Sequence, residues 1–303
     1  MNPHNESTPV SKSRPFTLRD WDSRASVRAS KHNYLLPANL QQQLKSRYWF
    51  PPAFLPYLNH PTIKNQGNSI AIRLSANHLV YFLDYTTLLE HRIVNQAVET
   101  IVHNELGLTI PSEMKIAALQ LYTDEGYHAL FSTQLADQVV DFYGIGDRGV
   151  LPKRIVKLTE WIESTPKKHT KLAWLLVGFV SETIIAKELL NLSHGELVSS
   201  VQEMLRDHLN DEARHSRYFC EVFHYLWCRL SFDQQKFTSR SLLEILFIFF
   251  EVDEPWLTQS LRSVGLDEKH VTQILCDQSD PKTVLYRTRS GAHATLAALT
   301  KAG

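Results

Sequence analysis

Thr123-Asp124-Glu125-Gly126-Tyr127-His128 and Asn210-Asp211-Glu212-Ala213-Arg214-His215 are the two stretches on which the reading of this chain turns. Each carries Asp-Glu-x-x-His inside a long segment free of proline. A Glu and a His three residues apart leave the same face of an α-helix, so both side chains can reach one metal ion. One such pair arises easily by chance. Two of them, each preceded by Asp and each on the second helix of an apparent hairpin, match bundles that bind two metals, in which each of the other two helices adds a carboxylate.

The segments around these motifs supply the helices. Residues 76–106 contain neither Pro nor Gly, and Leu83, Leu88, Ile93, Val94, Ala97, Val98, Ile101 and Val102 recur at helical spacing. Gly107 and Pro111 end that helix, and Pro111-Ser112-Glu113 opens the next, expected to reach about 142. A shorter helix is expected near 151–164, then a connector at Ser164-Thr165-Pro166-Lys167-Lys168 and an apolar helix over 170–192. Ser193-His194-Gly195 turns the chain into a helix reaching about Leu230, and Ser231 opens another. No useful run alternates as a strand would. The pattern is that of an all-α, ferritin-like four-helix bundle with extra N- and C-terminal helices. Its core is placed at about 76–230, inside a single helical domain over 31–303. Residues 1–30, polar and without apolar period, are expected to form a loosely ordered N-terminal arm. The prolines between Tyr34 and Asn68 suggest short helical pieces covering the bundle.

The partner carboxylates should lie on the first helix of each hairpin. On the first, Glu90, Glu99 and Glu105 are candidates. Glu90 and Glu99 are about 180° apart around a helix, and Glu105 is close to the turn. Glu90 sits among Leu88, Leu89, Ile93 and Val94, where a solvated carboxylate is unexpected. Counted from the turn, its depth differs from that of Glu125 by roughly one helical turn, about 5 Å. In the second hairpin Glu182 lies within LLVGFVSETIIA, and burying it there is costly unless a cation compensates. Glu188, beside Lys187 and about 120° from Glu182, is the weaker candidate. His208 shares a face with Glu212 and His215, whereas Glu221 and His224 are turned about 180° away from that pair. Asp124 and Asp211 are expected to accept the outer ring N–H of a ligand His across the bundle, Asp124 from His215 and Asp211 from His128.

Composition narrows the class. The 303 residues carry 32 Lys+Arg and 32 Asp+Glu, a balance that argues against a protein held to nucleic acid by phosphate contacts. With 43% hydrophobic residues and 11 Gly, the chain can bury a core and disfavours turn-rich β folds. Cys220, Cys228 and Cys276 form no CxxC pair and are read as free, mostly buried thiols. Tyr122, Tyr127, Phe131, Tyr218 and Phe219 are read as core packing. LAWLLVGFV and LLEILFIFF are too short to cross a bilayer and are read as core helices. The polar stretch MNPHNESTPVSKSRPF has no apolar h-region, so a cytoplasmic location is the expectation.

Glu90, Glu125-x-x-His128, Glu182 and His208-x-x-x-Glu212-x-x-His215, taken in order, resemble the ligand pattern of the para-aminobenzoate N-oxygenase family of di-iron enzymes. The third histidine, four residues before the last Glu, separates that family from other ferritin-like oxygenases. The resemblance covers about residues 75–230. It implies a homodimer and two iron ions per chain, with a diferric peroxo species formed from O2 that oxidises an amine nitrogen. It also implies an external reductase or ferredoxin-type electron donor, since no flavin or nicotinamide motif is present. The expected substrate is a small amine, an arylamine or amino acid derivative, in specialised-metabolite biosynthesis. Competing expectations are a di-iron hydroxylase, desaturase or oxidative-cleavage enzyme acting on carbon, a ferritin-like iron-handling protein, and a metal-free helical binding module.

Overall fold

The computed structural model describes residues 16–29, 33–146, 148, 151–193 and 195–302. Helix α1 spans residues 68–102: it runs as an α-helix over Asn68–Leu88, passes through a π-helical turn at Leu89–Val94 and continues over Asn95–Val102. Pro111 fixes the start of α2 (Ser112–Tyr143), and Gly144, with φ 61°, closes it in the left-handed conformation that Gly adopts without strain. Helix α3 (Lys153–Ser164) crosses over to α4 (Thr170–Leu192), which pairs with α5 (Ser199–Trp227). α1 with α2 and α4 with α5 form the two hairpins of an all-α, ferritin-like bundle. Among the described residues there is no β-strand, only an isolated bridge between Tyr48 and Leu197.

Five helices follow the core: α6 (Phe232–Phe250), α7 (Glu254–Ser263), α8 (Glu268–Ser279), α9 (Pro281–Gly291) and α10 (His293–Ala302). Ser231 and Gln234 form a reciprocal capping box at the start of α6. The side chains of Asp253, Asp267 and Asp280 accept the N–H of the third residue of α7, α8 and α9, each cap worth about 1 kcal/mol.

The first helix begins eight residues earlier than its periodicity suggests and ends at Val102, not at 106, because Asn104 turns the chain at φ 55°. That correction removes the apparent mismatch in depth. Glu90 lies twelve residues before Val102 and Glu125 thirteen after Ser112, so the two stand nearly level in the hairpin.

Two apolar clusters fill the bundle on either side of one polar layer. One contains Leu89, Val94, Leu121, Phe179, Tyr218 and Phe219; the other contains Leu83, Phe131, Leu135, Ile185, Val201 and Leu205. Where α1 and α4 cross, a Cβ placed on Gly178 would lie 2.5 Å from that of Ala97, so only Gly permits this approach. Gly178→Ala is expected to destabilise the fold by about 1–3 kcal/mol through overpacking, read as a fall in Tm of several degrees. An unchanged Tm would show that the two helices separate without cost.

Three expectations are corrected here. Residues 1–15 and 30 of the expected arm, like His194 of the expected turn, lie outside the described residues. Residues 16–29, however, are no loose arm: short helices at Trp21–Arg24 and Ser26–Ala29 lie against the bundle, with Leu18 and Ala25 fully buried. Leu18, Phe16 and Trp21 pack on the first apolar cluster alongside polar contacts, and the segment is too short for apolar periodicity to reveal it. Of the three free thiols only Cys220 is half-buried, while Cys228 and Cys276 are exposed. Tyr122 faces solvent, unlike Phe131, Tyr218 and Phe219, which are core. The two apolar stretches lie in α4 and α6, and no described helix is long and apolar enough to cross a membrane.

Candidate metal centre

The polar layer is made by four helices. Helix α1 supplies Glu90, α2 supplies Asp124, Glu125 and His128, α4 supplies Glu182, and α5 supplies His208, Asp211, Glu212 and His215. All nine side chains are buried, Glu90 to 1% exposure and the others to 0%. Glu90 sits on the π-helical turn, where the Asn95 N–H donates to the Glu90 carbonyl five residues back. π-Turns occur frequently at functional sites, and here the wider turn carries a ligand candidate.

The structure brings all seven candidates together. His208 Nε2 is 2.8 Å from Glu90 Oε1 and 3.5 Å from Glu212 Oε1. His128 Nδ1 lies 3.3 Å from Glu212, 3.8 Å from Glu90 and 3.9 Å from Glu125. His215 Nδ1 lies 2.9 Å from Glu125, 3.2 Å from Glu212 and 3.7 Å from Glu182. Glu90, His128, His208 and Glu212 offer ligand atoms within 4.8 Å of one another, as do Glu125, His128, Glu212 and His215. Glu182 joins the second set beside His215. Glu212 and His128 belong to both sets, and Glu125 lies between His128 and His215, so Glu212 and Glu125 are the carboxylates that sit between the two positions.

Few of these close approaches are aligned as hydrogen bonds. Both oxygens of Glu90, Glu125 and Glu182, one oxygen of Glu212, Nδ1 of His128 and both nitrogens of His208 have no hydrogen-bond partner. Lone pairs that draw together without pointing at each other converge on common points, as ligands of a cation do. A donor set of imidazole and carboxylate groups suits iron, so the residues fit the di-iron group.

Electrostatics agree. Burial, with Glu212 and Glu90 as negative neighbours, pushes the Glu125 carboxyl up to about 8. Burial beside Glu212 and Glu125 likewise raises Glu182 well above the carboxylate range. Burial would also raise Glu212, but the surrounding His215, His128 and His208 pull it well below that range. Burial opposes charging His128 and His215, yet Asp211 and Glu212 raise the first, and Glu212 and Asp124 the second, well above the histidine value. A raised pKa means a proton held at pH 7 in the metal-free protein. Iron loading at pH 7 is therefore expected to release more than one proton per chain and to weaken as pH falls. Titration in unbuffered solution reads this directly, and loading without acidification would contradict it.

The outer ring nitrogens are held crosswise. His215 Nε2 is 3.0 Å from Asp124, and His128 Nε2 is 3.1 Å from Asp211. With Nε2–H donating to a carboxylate, Nδ1 of each ring is left to face the centre. The two aspartates are themselves anchored by the N-terminal segment. Trp21 Nε1–H donates to both oxygens of Asp124 at 2.9 Å, and the Ser26 N–H donates to Asp211 at 3.1 Å, beside the Arg214 guanidinium. Asp124→Asn or Asp211→Asn is expected to weaken iron binding about 10–100-fold, measured by competition with a chelator. Unaltered affinity in both would remove the orienting role.

The remaining sequence candidates go elsewhere. Glu99 accepts from Gln96, Glu105 pairs with Lys171, and Glu221 accepts from the Phe16 N–H. Glu188 stays out of the metal layer: burial raises its carboxyl, and the neighbouring Arg154 opposes that rise. The Arg154 guanidinium lies 4.6 Å from the Tyr85 ring and 5.4 Å from that of Phe249. Burial, with Glu188 and Glu90 nearby, pushes the Tyr85 phenol up to about 12. No motif singled out this Tyr85–Arg154–Glu188 group, which lies next to Glu90. The signal available was phase, because Arg154 precedes the buried Ile155 and Leu158 by one and four residues.

A four-helix bundle in which four carboxylates and three imidazoles converge between the helices defines a ferritin-like, dinuclear non-haem metalloprotein. The family model for P-aminobenzoate N-oxygenase AurF matches residues 20–297, nearly the whole chain. The chain belongs to this family of di-iron N-oxygenases and is an oxidoreductase. No curated protein matches it.

Proposed function

We propose that this chain uses O2 to oxidise the amine nitrogen of a small molecule, an arylamine or amino acid derivative, in the biosynthesis of a specialised metabolite. The observation that carries the reading is the third imidazole: His208 is fully buried and lies 2.8 Å from Glu90. It makes the ligand set richer in nitrogen and less anionic than four carboxylates with two histidines. That set favours an oxidant attacked by an amine lone pair over one that cleaves C–H bonds.

Glu90, His128 and His208 would hold one iron ion, Glu182 and His215 the other, with Glu125 and Glu212 between them. An iron pair bound there would supply O2 reduction. The chain's own residues do the rest. Asp124 and Asp211 fix the rings of His215 and His128, so the ligand nitrogens do not have to reorganise. The two apolar clusters keep bulk water from the polar layer on both sides. The buried Tyr85 and the half-buried Arg154 and Glu188 form a polar group next to Glu90, suited to hydrogen-bonding a polar substrate.

An external one-electron donor is part of the proposal, as is a homodimer. The exposed Leu243 and Phe247 on α6 and Leu296 on α10 give a second copy apolar surface to cover. Incubation of the iron-loaded protein with candidate amines and 18O2 tests the reaction, with label expected on nitrogen. Label on carbon would replace the reading with a carbon-directed oxygenase. A large assembly that takes up iron far beyond two ions per chain would replace it with iron handling.

A further inference from the structure

An arginine withdrawn from the surface of a protein normally meets a carboxylate, because burial of an unmatched charge is costly. Arg148, Arg214 and Arg262 follow that rule, each lying against an Asp or a Glu. Arg154 on α3 and Arg287 on α9 break it. Both are half-buried, and among the described residues neither forms an ion pair. The Nε–H of each is buried without a hydrogen-bond partner.

These two guanidinium groups belong to one place. Helix α3 packs on α4 and α6, and α9 packs on the same two helices. Burial, and then the charge of Arg154, lower Arg287 from the usual guanidinium value, so the two cations feel each other. Arg154 is framed by the rings of Tyr85 and Phe249, and Arg287 is fixed by donating from Nη2 to the Gln278 carbonyl at 2.6 Å. Glu188 is the carboxylate facing Arg154, and burial raises it, so it is ill suited to balance two cations. The half-buried arginines are reachable from outside, while the buried Tyr85 continues the group inward to Glu90. A planar guanidinium fork matches the paired oxygens of a carboxylate or phosphate, and a second fork beside it relieves its own repulsion when an anion lies between them.

We propose that Arg154 and Arg287 together bind an oxyanion, a carboxylate or phosphate group, between α3 and α9 at the edge of the metal layer. The site stands on its own residues. That the anionic group belongs to the substrate rests in addition on the N-oxygenase reading. The arginines then hold the end of the molecule away from the amine and reject amines that lack such a group. A free oxyanion is the other source of the same chemistry.

Calorimetric titration of the iron-loaded full chain with benzoate, with inorganic phosphate and with benzamide tests the site. At least one of the two anions is expected to bind at about one per chain, and benzamide, benzoate's uncharged analogue, at least about tenfold more weakly. Arg154→Gln and Arg287→Gln are each expected to weaken the anion about tenfold or more, with iron content and Tm kept. Arg154→Lys, which keeps the charge and the aliphatic stem but loses the fork, is expected to weaken it as well and serves should Arg154→Gln fail to fold. A preference for benzoate assigns the site to a carboxylate-bearing substrate, and a preference for phosphate assigns it to a free oxyanion. Neither anion binding, or benzamide binding as tightly as benzoate, would overturn the site. So would equal affinity in the variants and the wild type, the result if benzoate went to the iron instead. The titration involves no turnover. Oxygen label missing from nitrogen therefore leaves the site intact, and loss of the site leaves the N-oxygenase reading to its own experiment.

Discussion

Glu212→Ala is expected to empty the centre. Glu212 is common to both groups of converging ligand atoms and lies 3.2–3.5 Å from all three imidazoles. The surrounding imidazoles hold it well below the usual carboxylate range, whereas burial raises Glu125 and Glu182, so it supplies negative charge where two cations would sit. Without it, three imidazoles face Glu90, Glu125 and Glu182, and Glu125 is the one carboxylate left between the two positions. Iron after anaerobic reconstitution should fall from about two ions per chain to below one, and oxygen-dependent absorbance should vanish. The fold should survive, because two apolar clusters flank the layer independently of it. Glu188→Gln, beside Arg154 and outside the layer, is the contrasting variant and should keep its iron. Two irons per chain in Glu212→Ala would sink the ligand assignment.

Iron should also stabilise the protein strongly. The metal-free chain buries four carboxylates whose oxygens are mostly without hydrogen-bond partners, next to three imidazoles. Ligands that bind only the folded state stabilise it by mass action, about 2.7 kcal/mol per site at a hundredfold excess over Kd. Two such sites amount to about 5 kcal/mol, which in a chain of this size raises Tm by about 8 °C. Anaerobic thermal melts at increasing Fe(II) read this, and Tm should climb with metal concentration. A Tm that ignores iron would mean that the layer does not bind it.

The sequence was most informative where helical phase and chemistry coincide. Glu125 with His128 and Glu212 with His215 could be read because i, i+3 spacing puts each pair on one face. Glu182 stood out because an acid inside LLVGFVSETIIA has no bland reason to be there. The crosswise contacts of Asp124 and Asp211 followed from the same logic, since an acid beside a ligand Glu points towards the opposite hairpin. What escaped notice depended on backbone irregularity or on distant chain. The π-turn at Leu89–Val94 leaves no periodic trace, because it adds a residue without changing residue type. Docking of Trp21 and Ser26 comes from a short segment distant in sequence, and the approach of Arg154 comes from a crossover helix outside the core. Each of these depends on tertiary placement, which apolar periodicity does not encode.

The π-turn has a consequence for how this chain is compared with any other. It accommodates one residue more than an α-turn, so the segments on its two sides stand about 100° out of phase with an uninterrupted helix. Position-by-position matching with a bundle that lacks the insertion goes wrong on one side of residues 89–94 unless a single-residue gap is opened there. Aligned without that gap, Tyr85 would be matched to a residue on the wrong face, and the polar group beside Glu90 would appear to have no counterpart. Deleting one residue from this turn would likewise do more than shorten the helix. It would rotate the Asn68–Leu88 half relative to the Asn95–Val102 half and turn Leu79 and Leu83 away from the apolar cluster they now fill.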